Sequence, residues 1–205
     1  MTTAPPPAAA TPATYMADAS IATFTVAQYQ RMIESGALTP ADRVELLENY
    51  VVWKTPKNPP HDGTIDLAGG CLRPVLPAGW LLRVQQTVEL ADGQPEPDLA
   101  VVRGAPRSFI ARHPTPADVG VLVEVADSSL LRDQRDKTRM YARAAVPVYW
   151  VINLVDRRVE VYTHPSGPIA APAYAAVHTY SLGDSVPLDL DGATVAAIPV
   201  ADLLP

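Results

Sequence analysis

The sequence predicts one α/β domain, a mixed β-sheet flanked by helices, and three observations carry that prediction. GVLVEVA (120–126) is apolar on both faces apart from one glutamate, the pattern of a strand covered on two sides. SSLLRDQRDKTRMYARAAV (128–146) follows with helical spacing, and VYWVINL (148–154) then returns to a strand pattern. A buried strand, a helix and another buried strand form the unit from which open α/β sheets are built. The chain of 205 residues is long enough for a real core, and it shows no internal repeat or second core.

Residues 1–20, rich in Pro and Ala, read as a disordered tail, and 21–205 as the domain. In FTVAQYQRMIESG, Thr25 is placed to cap a short helix, Tyr29, Met32 and Ile33 give its apolar side, and Gly36 stops it. RVELLENYVVWKTP predicts two short strands turning at Glu48-Asn49. HDGTIDLAGGCLRPVLP has helical spacing at Ile65, Leu67, Ala68, Cys71 and Leu72, weakened by Gly69-Gly70. WLLRVQQTVEL reads as a strand with Val84, Gln86 and Val88 on one side, and PDLAVVRG as a strand opening straight after Pro97. In the central strand Val119, Val121, Val123 and Val125 face one way, and Gly120, Leu122, Glu124 and Ala126 the other. The helix over 128–146 is expected to be the longest, with Ser128 as its N-cap. VYWVINLVDRRVEVYTHP forms a hairpin turning near Val155-Asp156, and short strands with a terminal docking segment complete the chain.

Composition narrows the functional classes. Apolar residues make up 48% and charged residues 19%, as in a folded soluble domain. The net charge of −6 and pI near 5.1 argue against a broad basic face for nucleic acid. Any such contact would be local or carried by bound cations. Cys71 is the single cysteine, which excludes an internal disulfide and fits a reducing, cytoplasmic setting. No apolar run approaches the roughly 18 residues of a membrane span, and the N-terminal residues lack the basic and apolar regions of a secretory signal. His61, His113, His164 and His178 are scattered and give no zinc-ligand spacing.

Two charges stand where apolar residues are expected. Glu124 sits mid-strand, where pairing with a core arginine would be the ordinary explanation. Projecting the helix at about 100° per residue puts Asp133, Met140, Tyr141 and Ala144 on the face of Lys137, with Arg132, Arg135, Arg139 and Arg143 opposite. Lys137 therefore points inward, where it either extends its ammonium to water or pairs with Asp133. Asp98 follows Pro97 at the mouth of a strand, a position that turn chemistry alone would explain. Taken together, Asp98, Glu124 and Lys137 supply what metal-assisted phosphodiester hydrolysis needs: hard oxygen ligands for Mg²⁺ or Mn²⁺, and a cation beside the attacking water.

FTVAQYQRMIESG, RVELLENYVVWKTP, PEPDLAVV, VLVEVADSS, DQRDKTRMYA and VPVYWVINL, in this order, closely resemble the Uma2 (DUF820) family of endonucleases of the PD-(D/E)XK superfamily, over roughly residues 22–204. The resemblance implies a restriction-endonuclease-like core with the metal at one edge of the sheet. It matches Pro97-Asp98 to the PD, Glu124 to the acidic residue and Val125 to the position whose carbonyl completes the metal shell. Ala126 stands where the usual lysine falls, and Lys137, with Asp133 before it, is the replacement. Glu45 matches an additional upstream acid, although a strand glutamate paired with Arg43 or another base explains it equally well. His61, Gln86 and Ser128-Ser129 also fall at polar positions of the pattern; a capping role for His61 and a satisfied core amide for Gln86 are the plainer readings.

The expectation is a Mg²⁺- or Mn²⁺-dependent endonuclease acting on nucleic acid, with DNA as the substrate. A catalytically inactive binding module on the same fold and a hydrolase of small nucleotides are the alternatives. A homodimer, built on the C-terminal strands and VYWVINL, would suit cleavage of both strands of a duplex.

Overall fold

The computed structural model describes residues 21–205; the Pro/Ala-rich stretch 1–20 lies outside the described residues. Thr25 opens helix α1 (Val26–Glu34) through a reciprocal capping box, its hydroxyl accepting from the Gln28 amide while Gln28 Oε1 accepts from the Thr25 amide at 2.8 Å. Tyr29 is buried, whereas Ile33, one turn further on, is exposed. Strands β1 (Val44–Leu47) and β2 (Tyr50–Trp53) pair antiparallel across Glu48 and Asn49, whose φ angles of 50° and 67° form the left-handed pair that two-residue hairpins require.

Asn58 caps helix α2 (Pro59–Leu72) by accepting from the His61 amide at 3.1 Å, and Pro59 and Pro60 occupy first-turn positions that need no amide hydrogen. The helix runs through Gly69-Gly70 because burial of Ile65, Ala68 and Leu72 on the sheet outweighs their poor propensity. Strand β3 (Trp80–Val84) is shorter than its sequence suggests. Gln85 turns to φ 51°, which ends the strand and leaves Gln86 exposed instead of on a shared face with Val84 and Val88.

Strands β4 (Leu99–Arg103) and β5 (Val119–Ala126) follow, and β5 is buried along its whole length. The crossover helix has three parts: α3 (Leu130–Arg132), a π-turn over Asp133–Lys137, and α4 (Thr138–Arg143). It is not an uninterrupted longest helix; α2 is longer than any of its parts. Ser129, not Ser128, holds the N-cap position, and it makes no side-chain cap bond. Strands β6 (Val148–Asn153), β7 (Arg158–Pro165) and β8 (Tyr174–Ser181) complete a six-stranded sheet of order β3-β4-β5-β6-β7-β8. Only β5 and β6 are parallel, so the sheet is mixed, as expected. A separate hairpin, β9 (Ser185–Leu190) and β10 (Ala193–Pro199), leads into α5 (Val200–Leu203). Among the described residues no helix is long and apolar enough to cross a membrane.

Each face of the sheet has its own core. On one side Val121, Val123 and Val125 pack with α2, β9 and α5; on the other Leu122 and Ala126 pack with Met140, Tyr141 and Tyr149. The alternation holds from Val121 onward and breaks before it. A bulge between Val101 and Val102 sends Val119 to the α4 side and turns Gly120 toward Trp80 and Leu190. VYWVINL is also corrected as a dimer surface, because all of β6 is buried in the middle of the sheet. The turn of the β1–β2 hairpin is fastened to α4: Glu48 accepts hydrogen bonds from Arg139 and, at 2.8 Å, from Arg143.

Two outcomes test this packing. A β-carbon at Gly120 would lie 2.6 Å from the Trp80 ring and 2.7 Å from Leu190, so Gly120→Ala should lower stability in urea titration by about 1–3 kcal/mol. For Glu48, burial alone would raise the carboxyl pKa, but the bonds from Arg139 and Arg143 hold it below its ordinary 4.5. A depressed carboxyl stabilises the fold above that value and loses its contribution as pH falls through it. Stability measured from neutral pH downward should therefore decline less steeply below pH 4.5 in Glu48→Gln than in wild type.

Candidate active site

The register of β4 on β5 builds the site. Leu99 pairs with Val123, so Asp98, one residue before β4, comes opposite Glu124. Both belong to the series that faces the crossover helix, Ala100 and Val102 on β4 and Leu122 and Ala126 on β5. At Asp98 the side chain takes over from the ladder: Oδ2 accepts from the Val125 amide at 2.9 Å. An amide and carbonyl of one strand residue leave the same edge, so the Val125 carbonyl also points past the end of β4. It borders the same cleft as Asp98 and Glu124.

Lys137 enters this cleft from the π-turn. Its ammonium lies 2.8 Å from Glu124 Oε1 and 3.5 Å from Asp133 Oδ1, and all three side chains are buried. Among the described residues no arginine pairs with Glu124; Tyr141 instead donates its phenol to Oε1 at 2.9 Å. Burial pushes the Glu124 carboxyl up to about 8 against the pull of Lys137. For Lys137 burial acts downward but is outweighed by Glu124 and Asp133, which hold the ammonium above its usual value. Burial raises Asp133 too, although the Ser129 hydroxyl donates to its Oδ2. Its Oδ1 is buried without a hydrogen-bond partner.

The first turn of α2 delivers His61, whose Nε2 is 3.2 Å from Asp98 Oδ2. The capped amide of His61 is thus one job and its ring a second. Burial alone would lower the imidazole pKa, but Asp98 raises it; burial alone would raise Asp98, but His61, the Val125 amide and Lys137 lower it. Gln85 donates to Asp98 Oδ1 at 3.3 Å, and Glu45 accepts from the Glu96 amide at 3.2 Å while facing the cleft.

Of the residues singled out by sequence, Asp98, Glu124, Val125, Lys137, Asp133, Glu45 and His61 border one cleft. Gln86 does not; its neighbour Gln85 does, because the left-handed turn at Gln85 ends the alternation assumed for β3. Arg43 is not the partner of Glu45. Ser128-Ser129, also singled out, border the cleft as well, whereas Tyr141 was overlooked as a contributor to the site. Tyr141 carried a signal, since it shares the helical face of Lys137 one turn further on. Gln85 carried none.

A divalent cation suits this donor set. Four buried carboxylates, Glu45, Asp98, Glu124 and Asp133, line the cleft with one buried ammonium, Lys137, so the buried acids outnumber the buried cation. Asp98, Glu124 and the Val125 carbonyl offer hard oxygens on one side of the cleft. Among the described residues no three His, Cys, Asp or Glu side chains form a ready-made cage, so water or substrate oxygens would complete any shell.

A mixed sheet that sets Asp98, just before β4, beside Glu124 on β5, with Lys137 arriving from the crossover helix, has a restriction-endonuclease-like fold. The chain belongs to the Uma2 family, described as "Putative restriction endonuclease", whose model matches residues 26–199. Its fold is similar to that of "a putative nuclease belonging to DUF820" from Anabaena variabilis ATCC 29413, with a TM-score of 0.61 and 13% identity over 88% of this chain and 97% of that one. A search of curated proteins finds no match.

Breaking the buried pair on one side should be costly. Lys137→Met leaves Glu124 and Asp133 buried without their cation and should destabilise the chain by about 3–5 kcal/mol. Adding Glu124→Gln to Lys137→Met should restore much of that loss in a urea double-mutant cycle, whereas additive losses would count against the pairing.

Proposed function

We propose that this chain is a metal-dependent endonuclease that hydrolyses phosphodiester bonds in nucleic acid, DNA in particular. The observation that carries the reading is the convergence of Asp98, Glu124, the Val125 carbonyl and Lys137 on one cleft. Asp98, Glu124 and Val125 would hold Mg²⁺ or Mn²⁺. Such an ion, when bound, offsets charge on the phosphoryl group and makes a ligating water more acidic.

The chain's own residues have separable tasks. Lys137, kept protonated by Glu124 and Asp133, is placed to orient the attacking water and to balance negative charge as it develops. His61 and the Val125 amide keep Asp98 ionised and fix its rotamer. Tyr141 fixes the orientation of Glu124 through its bond to Oε1.

A second reading, a binding module without catalysis, has one observation in its favour: each principal carboxylate already has a protein cation beside it. Calorimetric titration with Mn²⁺ separates the two, since the nuclease reading requires binding that is lost in Asp98→Asn. Plasmid cleavage with Mg²⁺ or Mn²⁺ is the direct test. Wild type should cut, and Asp98→Asn and Glu124→Gln should each lose on the order of 100-fold or more. Equal activity in all three proteins would dismiss the assignment.

A further inference from the structure

The mouth of the cleft differs from its floor. Lys57 and Arg132 border it, and neither has a described carboxylate within ion-pairing distance, whereas Lys54 nearby is taken by Glu96 at 2.6 Å. Arg132 is held only by long contacts, 3.4 Å each, to the Trp53 carbonyl and the Thr55 hydroxyl. Lys57 is close enough to His61 to oppose its protonation.

Beside these two cations stand two large apolar side chains that the fold leaves in water. Trp53 is 71% exposed at the end of β2, one residue before Lys54, and Leu131, next to Arg132, is 79% exposed. By strand alternation the Trp53 ring lies on the hairpin face of Val44 and Val51, opposite Glu45, and at the open end of that face. A polymer leaving the cleft over the end of β2 would meet it.

The charge balance separates two kinds of substrate. Duplex binders commonly neutralise about 6–10 phosphates with cations spread over a wide face. Here two cations without a described carboxylate partner sit at the mouth of the cleft in a chain whose net charge is −6. Duplex DNA, with one charge per roughly 1.7 Å of axis, is the most strongly repelled form. A single strand has lower charge density and free base faces, and an exposed indole beside unpaired cations is the arrangement that holds it.

We propose that this site takes a single-stranded stretch of polynucleotide, with one base stacked on Trp53 and adjoining phosphates held by Arg132 and Lys57. The inference rests on the nuclease reading and names its substrate class.

The test uses the full chain with a fluorescently labelled oligothymidylate and a duplex of equal length, in EDTA so that nothing is cut. The single strand should bind at least about tenfold more tightly than the duplex. Its affinity should fall with salt at a log–log slope of roughly −1.4, as expected for two phosphates on a single strand. Trp53→Ala should weaken it by about tenfold, Trp53→Phe should retain most of it, and Arg132→Ala should flatten the salt slope. Trp53 is exposed, so these variants should keep the wild-type unfolding midpoint. Duplex binding as tight as single-strand binding, or unchanged affinity in Trp53→Ala, overturns the proposal. Cleavage of duplex with Mn²⁺ alongside either result leaves the nuclease reading intact; absence of both binding and cleavage for both polymers removes the two together.

Discussion

The arrangement of the site depends on one buried ammonium. Lys137 lies between Glu124 on the central strand and Asp133 on its own helical turn, and three side chains that would each be costly to bury alone are buried together. This cluster fixes where the crossover helix crosses the sheet, because the lysine must reach β5 from the face that also carries Met140 and Tyr141. The π-turn is the local device for it. Thr138 donates its amide back to Asp133 O, five residues earlier, and its hydroxyl accompanies the amide to the same carbonyl at 2.8 Å.

A second network supports the turn from below. Glu160 on β7 is buried and accepts from both Gln134, in the middle of the π-turn, and Asn153 at the end of β6. Tyr162 and Arg158 donate to it as well, which together hold its carboxyl below the usual range despite burial. Glu160 has its hydrogen-bonding capacity filled by protein donors. In the cleft, by contrast, Asp133 keeps a buried Oδ1 without a hydrogen-bond partner.

Much of this was legible in the residue order. The double-sided apolar run around Glu124, the inward position of Lys137 and the Pro97-Asp98 step all follow from side-chain period and from what proline forbids, and they locate three of the central groups. The β1–β2 turn was legible because Glu48-Asn49 interrupts two β-rich runs. Features that depend on a break in regularity were not. The turn at Gln85 shifts the useful amide by one residue, and the bulge opposite Val101 moves Val119 and Gly120 to unexpected faces. The extra residue in the crossover helix is equally silent, since α and π spacing both leave Asp133 and Lys137 as near neighbours. His61 was ambiguous for another reason: its backbone completes a cap while its ring serves the site, and sequence alone cannot apportion one residue between two roles.

The Glu48 fastening has a mechanical meaning. It ties the hairpin that bears Glu45 and Trp53 to the helix that bears Lys137, so these two walls of the cleft form one jaw. The opposite wall, the start of α2 with Lys57 and His61, is anchored to the other side of the sheet through Ile65, Ala68 and Leu72. Widening the gap would therefore strain the His61–Asp98 and Asn58–Asp127 contacts before it disturbed the lysine, and the grip on an incoming chain would be set by how firmly those two hold.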